Sequence, residues 1–279
     1  MAKNESTSKT VVITVNRGIP HYWGDLWRYR ELFYFLAWRD IKVRYKQTAF
    51  GVAWAILQPI ILMVVFSLFF GRVVGISSDG VPYPIFAYAG LLFWQFFSGA
   101  VTKASGSFVS SQGILQKIYF PRLILPLSAT VVSLLDFLMA AVVFAGLMVY
   151  YQFAPTLIGI LLVIPAILIT FLTAAGLGTF LATLNVKYRD VGYALPFFIQ
   201  LLLFLTPVIY PVSLVPERFR WLLQLNPMTG VIDSIRASFL GLGDVNWGSL
   251  GIASAISLFV FAVGYLYLRR FESEFADII

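Results

Sequence analysis

The stretch RDIKVRYKQTAFGVAWAILQP, residues 39–59, most constrains what this chain can fold into. Four cationic side chains, Arg39, Lys42, Arg44 and Lys46, follow Arg30 and then stop at Thr48, and from Ala49 the chain stays apolar through Phe70. Lys and Arg are retained on the cytoplasmic side while a helix inserts. The junction therefore predicts a helix entering the membrane from the cytoplasm, and it sets the direction of everything downstream.

Composition agrees with a membrane-embedded chain. Of 279 residues, 59% are hydrophobic and only 12% charged, with a mean hydropathy of +0.85; a soluble domain carries about 25% charged residues. There is no cysteine, so disulfides and thiolate metal sites are excluded, and the single His21 cannot assemble a metal site. The net charge of +7 is that of a biased membrane topology and does not imply nucleic acid. Residues 1–24 lack an apolar core long enough for a cleaved signal peptide and read as a cytoplasmic tail, with a possible short strand at 11–15.

Residues 25–47 have helical periodicity, with Leu26, Tyr29, Phe33 and Leu36 on one stripe and Trp23, Trp27 and Trp38 interleaved with charges. That is the make-up of an amphipathic helix lying in the membrane interface. Six apolar stretches follow, at about 49–71, 84–107, 128–151, 157–184, 193–210 and 247–268, each near the roughly 20 residues a helix needs to cross. Pro165 predicts a kink in the fourth. With this arrangement sixteen of the twenty Lys and Arg fall on the inner side, leaving Arg72, Arg218, Arg220 and Arg236 outside. Both termini are therefore expected to face the cytoplasm.

The outer segment 211–246 is long and half apolar. Pro216 opens one short helix, Asn226-Pro227 breaks it, and a second runs to Leu240. Neither is long enough to span, and Asn226, Asp233 and Arg236 argue against a seventh crossing. The expected fold is an all-α integral membrane protein: six transmembrane helices, an N-terminal interfacial helix and two short re-entrant outer helices. Residues 48–270 form the spanning domain, and 271–279 form a short cytoplasmic tail.

The chemistry is constrained mainly by what the sequence lacks. No GxxxxGK[ST] loop is present, so the chain does not bind ATP in that way. Nothing promotes a catalytic site. Ion-coupled transporters place several ionisable residues at mid-membrane; here Asp136 is central and Lys103 is shallower on the preceding, antiparallel span. These two are expected at similar depth, either as a pair joining two helices or as an ion relay.

The strings RDIKVRYKQTAFGVAWAILQP, NVKYRDV, TPVIYP and LNPMTGVIDSIRASFLG, in this order, resemble the permease subunits of ATP-binding-cassette exporters of lipid-linked polysaccharides such as O-antigen, capsule or teichoic acid. The resemblance covers about residues 25–270. It implies a homodimer in the bacterial inner membrane, two separate ATPase subunits on the cytoplasmic side, and no cofactor of the chain's own, ATP being held by the partner. It also implies a coupling helix in the first inner loop and two outer gate helices. A smaller amphiphile, a drug or a lipid, remains the alternative cargo.

On this reading a glycan needs a surface that meets its apolar C–H faces without gripping any one repeat. Candidate lining rings are Phe66, Phe69 and Phe70, then Tyr88, Phe93, Trp94 and Phe97, then Phe197, Phe198, Phe204 and Tyr210. Arg39, Lys42, Arg44 and Lys46 are at the depth of a lipid phosphate, which Arg can engage through two N–H groups. Gln116, Lys117, Tyr119 and Arg122, in the loop 110–122, are the candidates for contact with the ATPase. Ala174, Gly178 and Ala182 follow small-xxx-small spacing, expected to serve packing within one subunit.

Overall fold

The computed structural model describes residues 19–46 and 51–272, and among them every regular element is helical. The tentative strand at 11–15 and the exit from the basic segment at 47–50 lie outside the described residues.

Helix α1 (Ile19–Arg28) begins earlier than the sequence pattern predicts and runs almost directly into α2 (Arg30–Lys46). The Tyr29 N–H to Asp25 carbonyl bond (2.9 Å) and the Phe33 N–H to Tyr29 carbonyl bond (3.0 Å) carry the helix across the join. The expected apolar stripe is the one that packs. Leu36 is buried, and Leu26, Tyr29 and Phe33 join it against Phe108, Leu123, Ile124 and Leu268. Trp27, Tyr34, Phe35 and Trp38 point away and are exposed, as rings at headgroup level are.

Helix α3 (Gly51–Phe66) continues as a π-helical segment, Ser67–Val73, in which Ser67 Oγ donates to the Met63 carbonyl at 2.6 Å. Helix α4 (Tyr83–Ser110) is the hub. It is buried on nearly every face, whereas the other long helices bury one face each. A four-residue helix α5 (Gln112–Leu115) turns the chain into α6 (Ile124–Tyr150), antiparallel to α4. Tyr88 stacks on Phe144 at 6.2 Å, and Phe93 meets Phe137 edge-on at 5.0 Å.

Helix α7 (Leu157–Lys187) runs unbroken through Pro165, capped at its start by Thr156 Oγ1, which accepts from the Gly159 N–H at 3.0 Å. Its small residues serve packing within the protomer. Ala174 and Ala182 have no exposed surface, and a methyl added at Gly178 would meet Ala104 of α4 at 2.5 Å. Gly176 faces the other way, onto the backbone of Phe261 in α11 (Trp247–Phe271).

Among the described residues, five helical segments are long and apolar enough to cross a membrane: 53–73, 83–110, 124–150, 157–187 and 247–271. The fifth expected span, about 193–210, is shorter. Helix α8 (Asp190–Leu205) has 16 residues, a rise of about 24 Å against a hydrocarbon thickness of about 30 Å. Thr206-Pro207 ends it, since proline supplies no N–H. The segment 211–246 then forms α9 (Glu217–Gln224) and α10 (Pro227–Leu240). Asn226 caps α10, its Oδ1 accepting from the Met228 N–H at 3.0 Å while its Nδ2 donates to Thr206 Oγ1 at 2.7 Å. Helix α10 is buried along almost its whole length, packed on α4, α7 and α11. It is a core element of the protein, which its run of Thr229, Gly230, Ser234 and Ala237 makes possible by keeping the helix thin.

Candidate functional site

The last two turns of α2 bring Arg44 and Tyr45 onto the crossing of α4 and α6. Asp136 on α6 accepts from Lys103 Nζ at 2.8 Å, from Arg44 Nη2 at 2.9 Å and from the Tyr45 hydroxyl. Lys103 Nζ also donates to Ser133 Oγ at 3.0 Å. The cluster is half-buried: the Lys103 and Asp136 side chains are 25% and 20% exposed. Burial, and then the hydrogen bond to the Asp136 carboxylate, push the Tyr45 phenol well above its ordinary range, so it remains a donor at neutral pH.

The Lys103–Asp136 pairing expected from the antiparallel spans is present. That Arg44 and Tyr45 join it was not legible. The chain gives their depth, but only the crossing of α2 over α6 gives their direction.

Two cavities meet at this cluster. One, of about 370 Å³, lies between α3, α4, α6 and α8 and is lined by Arg44, Lys103, Asp136, Gln58, Gln95 and Ser98 among others. The other, of about 390 Å³, lies between α2, α4 and α6 and reaches Asp40, Ser107, Ser110 and Ser111. Arg44, Thr102 and Lys103 line both. The cations are thus a shared wall between a chamber deeper along α4 and one open toward its C-terminal end.

The remaining expected residues are dispersed. Arg39 is folded onto its neighbour, Nη2 of Arg39 lying 2.8 Å from Asp40 Oδ1; Lys42 lies over the Trp38 ring at 5.5 Å; and Lys46 is exposed. The four basic residues of α2 therefore do not converge, and only Arg44 reaches the cavities.

The candidate rings divide in the same way. Tyr88, Phe93, Trp94 and Phe97 are all at most 4% exposed, and the Tyr88 hydroxyl donates to the Ala140 carbonyl at 2.9 Å. Their helix is the hub, so α6 and its neighbours cover them, and they present no surface to a passing molecule. Phe69, Phe197, Phe198 and Phe204 are exposed. Phe66 and Phe70 pair edge-on at 5.6 Å and lean on the core. The Tyr210 hydroxyl turns back to the Phe204 and Leu205 carbonyls at 3.2 and 3.3 Å. Of the loop residues, Gln116, Lys117 and Tyr119 are exposed beside Ile118, while Arg122 is partly buried.

One residue that sequence reasoning treated only as a barrier to a seventh span is a keystone. Arg236 of α10 is 3% exposed and lies 3.6 Å over the Phe86 ring. It donates to the carbonyls of Phe86 (3.1 and 3.2 Å), Pro207 (2.6 Å) and Val208 (2.5 Å). The last two belong to the turn just beyond the end of α8 at Leu205, where no helical N–H reaches them. The signal was available in TPVIYP followed by an arginine in an apolar helix: a buried turn needs donors for its carbonyls, and Arg carries five.

Comparison with known proteins agrees with this architecture. The family described as ABC-2 type transporter matches residues 31–240. The O-antigen export system permease protein RfbA of Klebsiella pneumoniae is 29% identical over 245 residues, covering 86% of this chain and 92% of that protein. RfbA of Myxococcus xanthus is 31% identical over 261 residues, 91% of this chain and 98% of that protein. The polysialic acid transport protein KpsM of Escherichia coli is 23% identical over 241 residues, with coverages of 84% and 92%. The chain, a hub helix packed among apolar helices with a basic helix docked at one end, matches this family over three quarters of its length and belongs to the ABC-2 type transporter family of multi-pass membrane proteins.

Proposed function

We propose that this chain is the membrane-spanning subunit of an ATP-binding-cassette exporter that carries a lipid-linked, O-antigen-like polysaccharide from the cytoplasm across the bacterial inner membrane. The observation that carries this reading is the end-to-end match to polysaccharide export permeases, which extends over 91% of the chain for the Myxococcus xanthus relative. The chain works as a homodimer with two ATPase subunits that bind and hydrolyse the ATP.

In this reading α8 is the fifth of six spans, short because its outer end is broken, and α9 and α10 form the outer gate between it and α11. Both termini face the cytoplasm, which puts the basic ends of α2 and α11 on that side, as charge bias favours. The exposed loop residues Gln116, Lys117, Ile118 and Tyr119 then meet the ATPase, with Arg122 behind them. Apolar side chains held in water next to a short stiff helix are what a docking contact supplies. The polymer slides on Phe69, Phe197, Phe198 and Phe204, the candidate rings that are exposed on α8 and the end of α3. Two such faces brought together by a homodimer make a ring-lined passage between protomers.

The test is reconstitution of the chain in proteoliposomes, with and without its ATPase subunit, scoring transfer of a lipid-linked glycan to the opposite leaflet. Transfer is expected only with the ATPase and ATP, and replacing Phe197 and Phe198 together with Ala should reduce it with assembly intact. Transfer by the chain alone would overturn the proposal, and ATP-driven transfer of lipid without glycan would favour a smaller amphiphile as cargo.

A further inference from the structure

The two short helices of the segment 211–246 are held very differently. Helix α10 buries almost every residue, and Arg236 pins it to the turn after α8. Helix α9 buries none. Arg220 ties α9 to the chain just before it: its Nε donates to the Val215 carbonyl at 3.0 Å and its Nη2 to the Ser213 carbonyl at 3.3 Å. Residues 213–224 therefore behave as one short body. The far end of that body is fixed, because Asn226 caps α10 and donates to Thr206 Oγ1 at 2.7 Å. Behind it lies a cavity of about 270 Å³, lined by Asp79, Ser213, Arg220, Asp233 and Arg236 among others. The body is thus not packed flush on α10.

Among the described residues, one side chain of this body hydrogen-bonds to a distant part of the chain. Ser213 Oγ donates to the Asp79 carboxylate, 2.9 Å from Oδ1 and 3.1 Å from Oδ2. Asp79 is itself held by its turn. Its N–H donates to Ser77 Oγ at 3.2 Å, Ser78 Oγ donates to the Val81 carbonyl at 2.5 Å, and Val81 belongs to the core. The Asp79 φ of +52° lies in the left-handed region, which Asp enters more readily than most residues. A fixed carboxylate holds an otherwise loose helix by a single hydroxyl.

We propose that α9 is the moving leaf of the outer gate and α10 its fixed post, with Ser213 on Asp79 as the latch that keeps the leaf shut. The inference rests on the proposed function for what passes the gate. The leaf pivots at Leu225-Asn226, and its eight helical residues make a lever of about 12 Å. Both latch residues are exposed, and a hydrogen bond made in water is weak in net terms, so the latch opens at each passage and closes again. A glycan brings its own key. Its hydroxyl offers Asp79 the same kind of donor as Ser213 and takes its place.

The full chain with its ATPase subunit in nanodiscs would be followed by amide hydrogen exchange as wild type, Asp79→Gly and Ser213→Ala. Glycine keeps the left-handed backbone while removing the carboxylate. Either variant should speed exchange over residues 217–224 by about three- to tenfold, the loss of one net hydrogen bond, and leave residues 227–240 unchanged. Ser213→Thr keeps the hydroxyl and should match wild type. Because the chain has no cysteine, Asp79→Cys combined with Ser213→Cys allows the latch to be joined by a short bis-methanethiosulfonate reagent and released with dithiothreitol. ATP-driven transfer of a lipid-linked glycan should stop on linking and return on release.

Wild-type exchange over 217–224 in either folded variant, or an equal rise over 227–240, would overturn the proposal, as would full transfer by the linked chain. Should Asp79→Gly fail to fold, Ser213→Ala still decides. If the unlinked chain transfers no glycan, the export reading fails and the exchange measurement alone judges the latch.

Discussion

Asp136→Ala is the perturbation whose cost follows most directly from the structure. The carboxylate accepts from Lys103, Arg44 and Tyr45 and so ties α2 to α4 and α6. Removing one member of a buried ion pair costs about 3–5 kcal/mol, because the other charge is stranded. These side chains are 20–35% exposed, and solvent screening cuts that to about 2 kcal/mol. The Tyr45 hydroxyl loses its acceptor for about 1 kcal/mol more.

A total near 3 kcal/mol, at about 2–4 °C per kcal/mol for a chain of this size, predicts a melting point lower by about 6–12 °C. Fluorescence-detected size exclusion after heating in detergent reads it. The companion variant Lys103→Met with Asp136→Leu strands no charge on α4 or α6 and should recover most of the loss. Unchanged melting of Asp136→Ala would refute the reasoning, as would a double variant no better than the single. Wild-type yield combined with an altered pH dependence of transport is the result an ion relay at this pair requires.

Two further substitutions test the packing. Arg236→Met leaves two buried carbonyls, those of Pro207 and Val208, without donors at about 1–3 kcal/mol each, partly offset because no guanidinium is desolvated; a net loss of about 2–4 kcal/mol should appear as reduced folded yield, with Arg236→Lys in between. Gly176→Ala places a methyl 2.5 Å from the Phe261 Cα and should cost about 1–3 kcal/mol through overpacking, whereas Gly146→Ala, whose added methyl meets nothing within 4 Å, should melt at or slightly above wild type.

How much of this was legible in the chain differs from element to element. The Leu26, Tyr29, Phe33 and Leu36 stripe named the buried face of the basic helix, because a period of 3.6 residues is a property of the local chain. The helix break at Asn226-Pro227 was equally local, since proline removes a donor and asparagine caps. The Lys103–Asp136 pair needed one step more, the antiparallel order of two consecutive spans, and that too could be read along the sequence. Which of the candidate rings are exposed was not readable in this way. Tyr88 and Phe197 both belong to apolar stretches rich in Phe, yet one is fully buried and the other is exposed.

What the sequence determined by itself is therefore the membrane character, the number and approximate ends of the apolar helices and the depth of each charge along its own helix. Hydrophobicity, charge bias and proline act over a few neighbouring residues, and no fold is needed to express them. Only the tertiary structure decided which helix became the hub, that α10 is buried as core, that Arg236 holds the turn after α8 against α4, and that Arg44 turns inward to Asp136 while Arg39, Lys42 and Lys46 do not. In hydrocarbon every face of an apolar helix is acceptable. The choice among faces therefore rests on close packing of small residues and on the few polar groups that must find one another across helices, which are contacts between residues far apart in the chain.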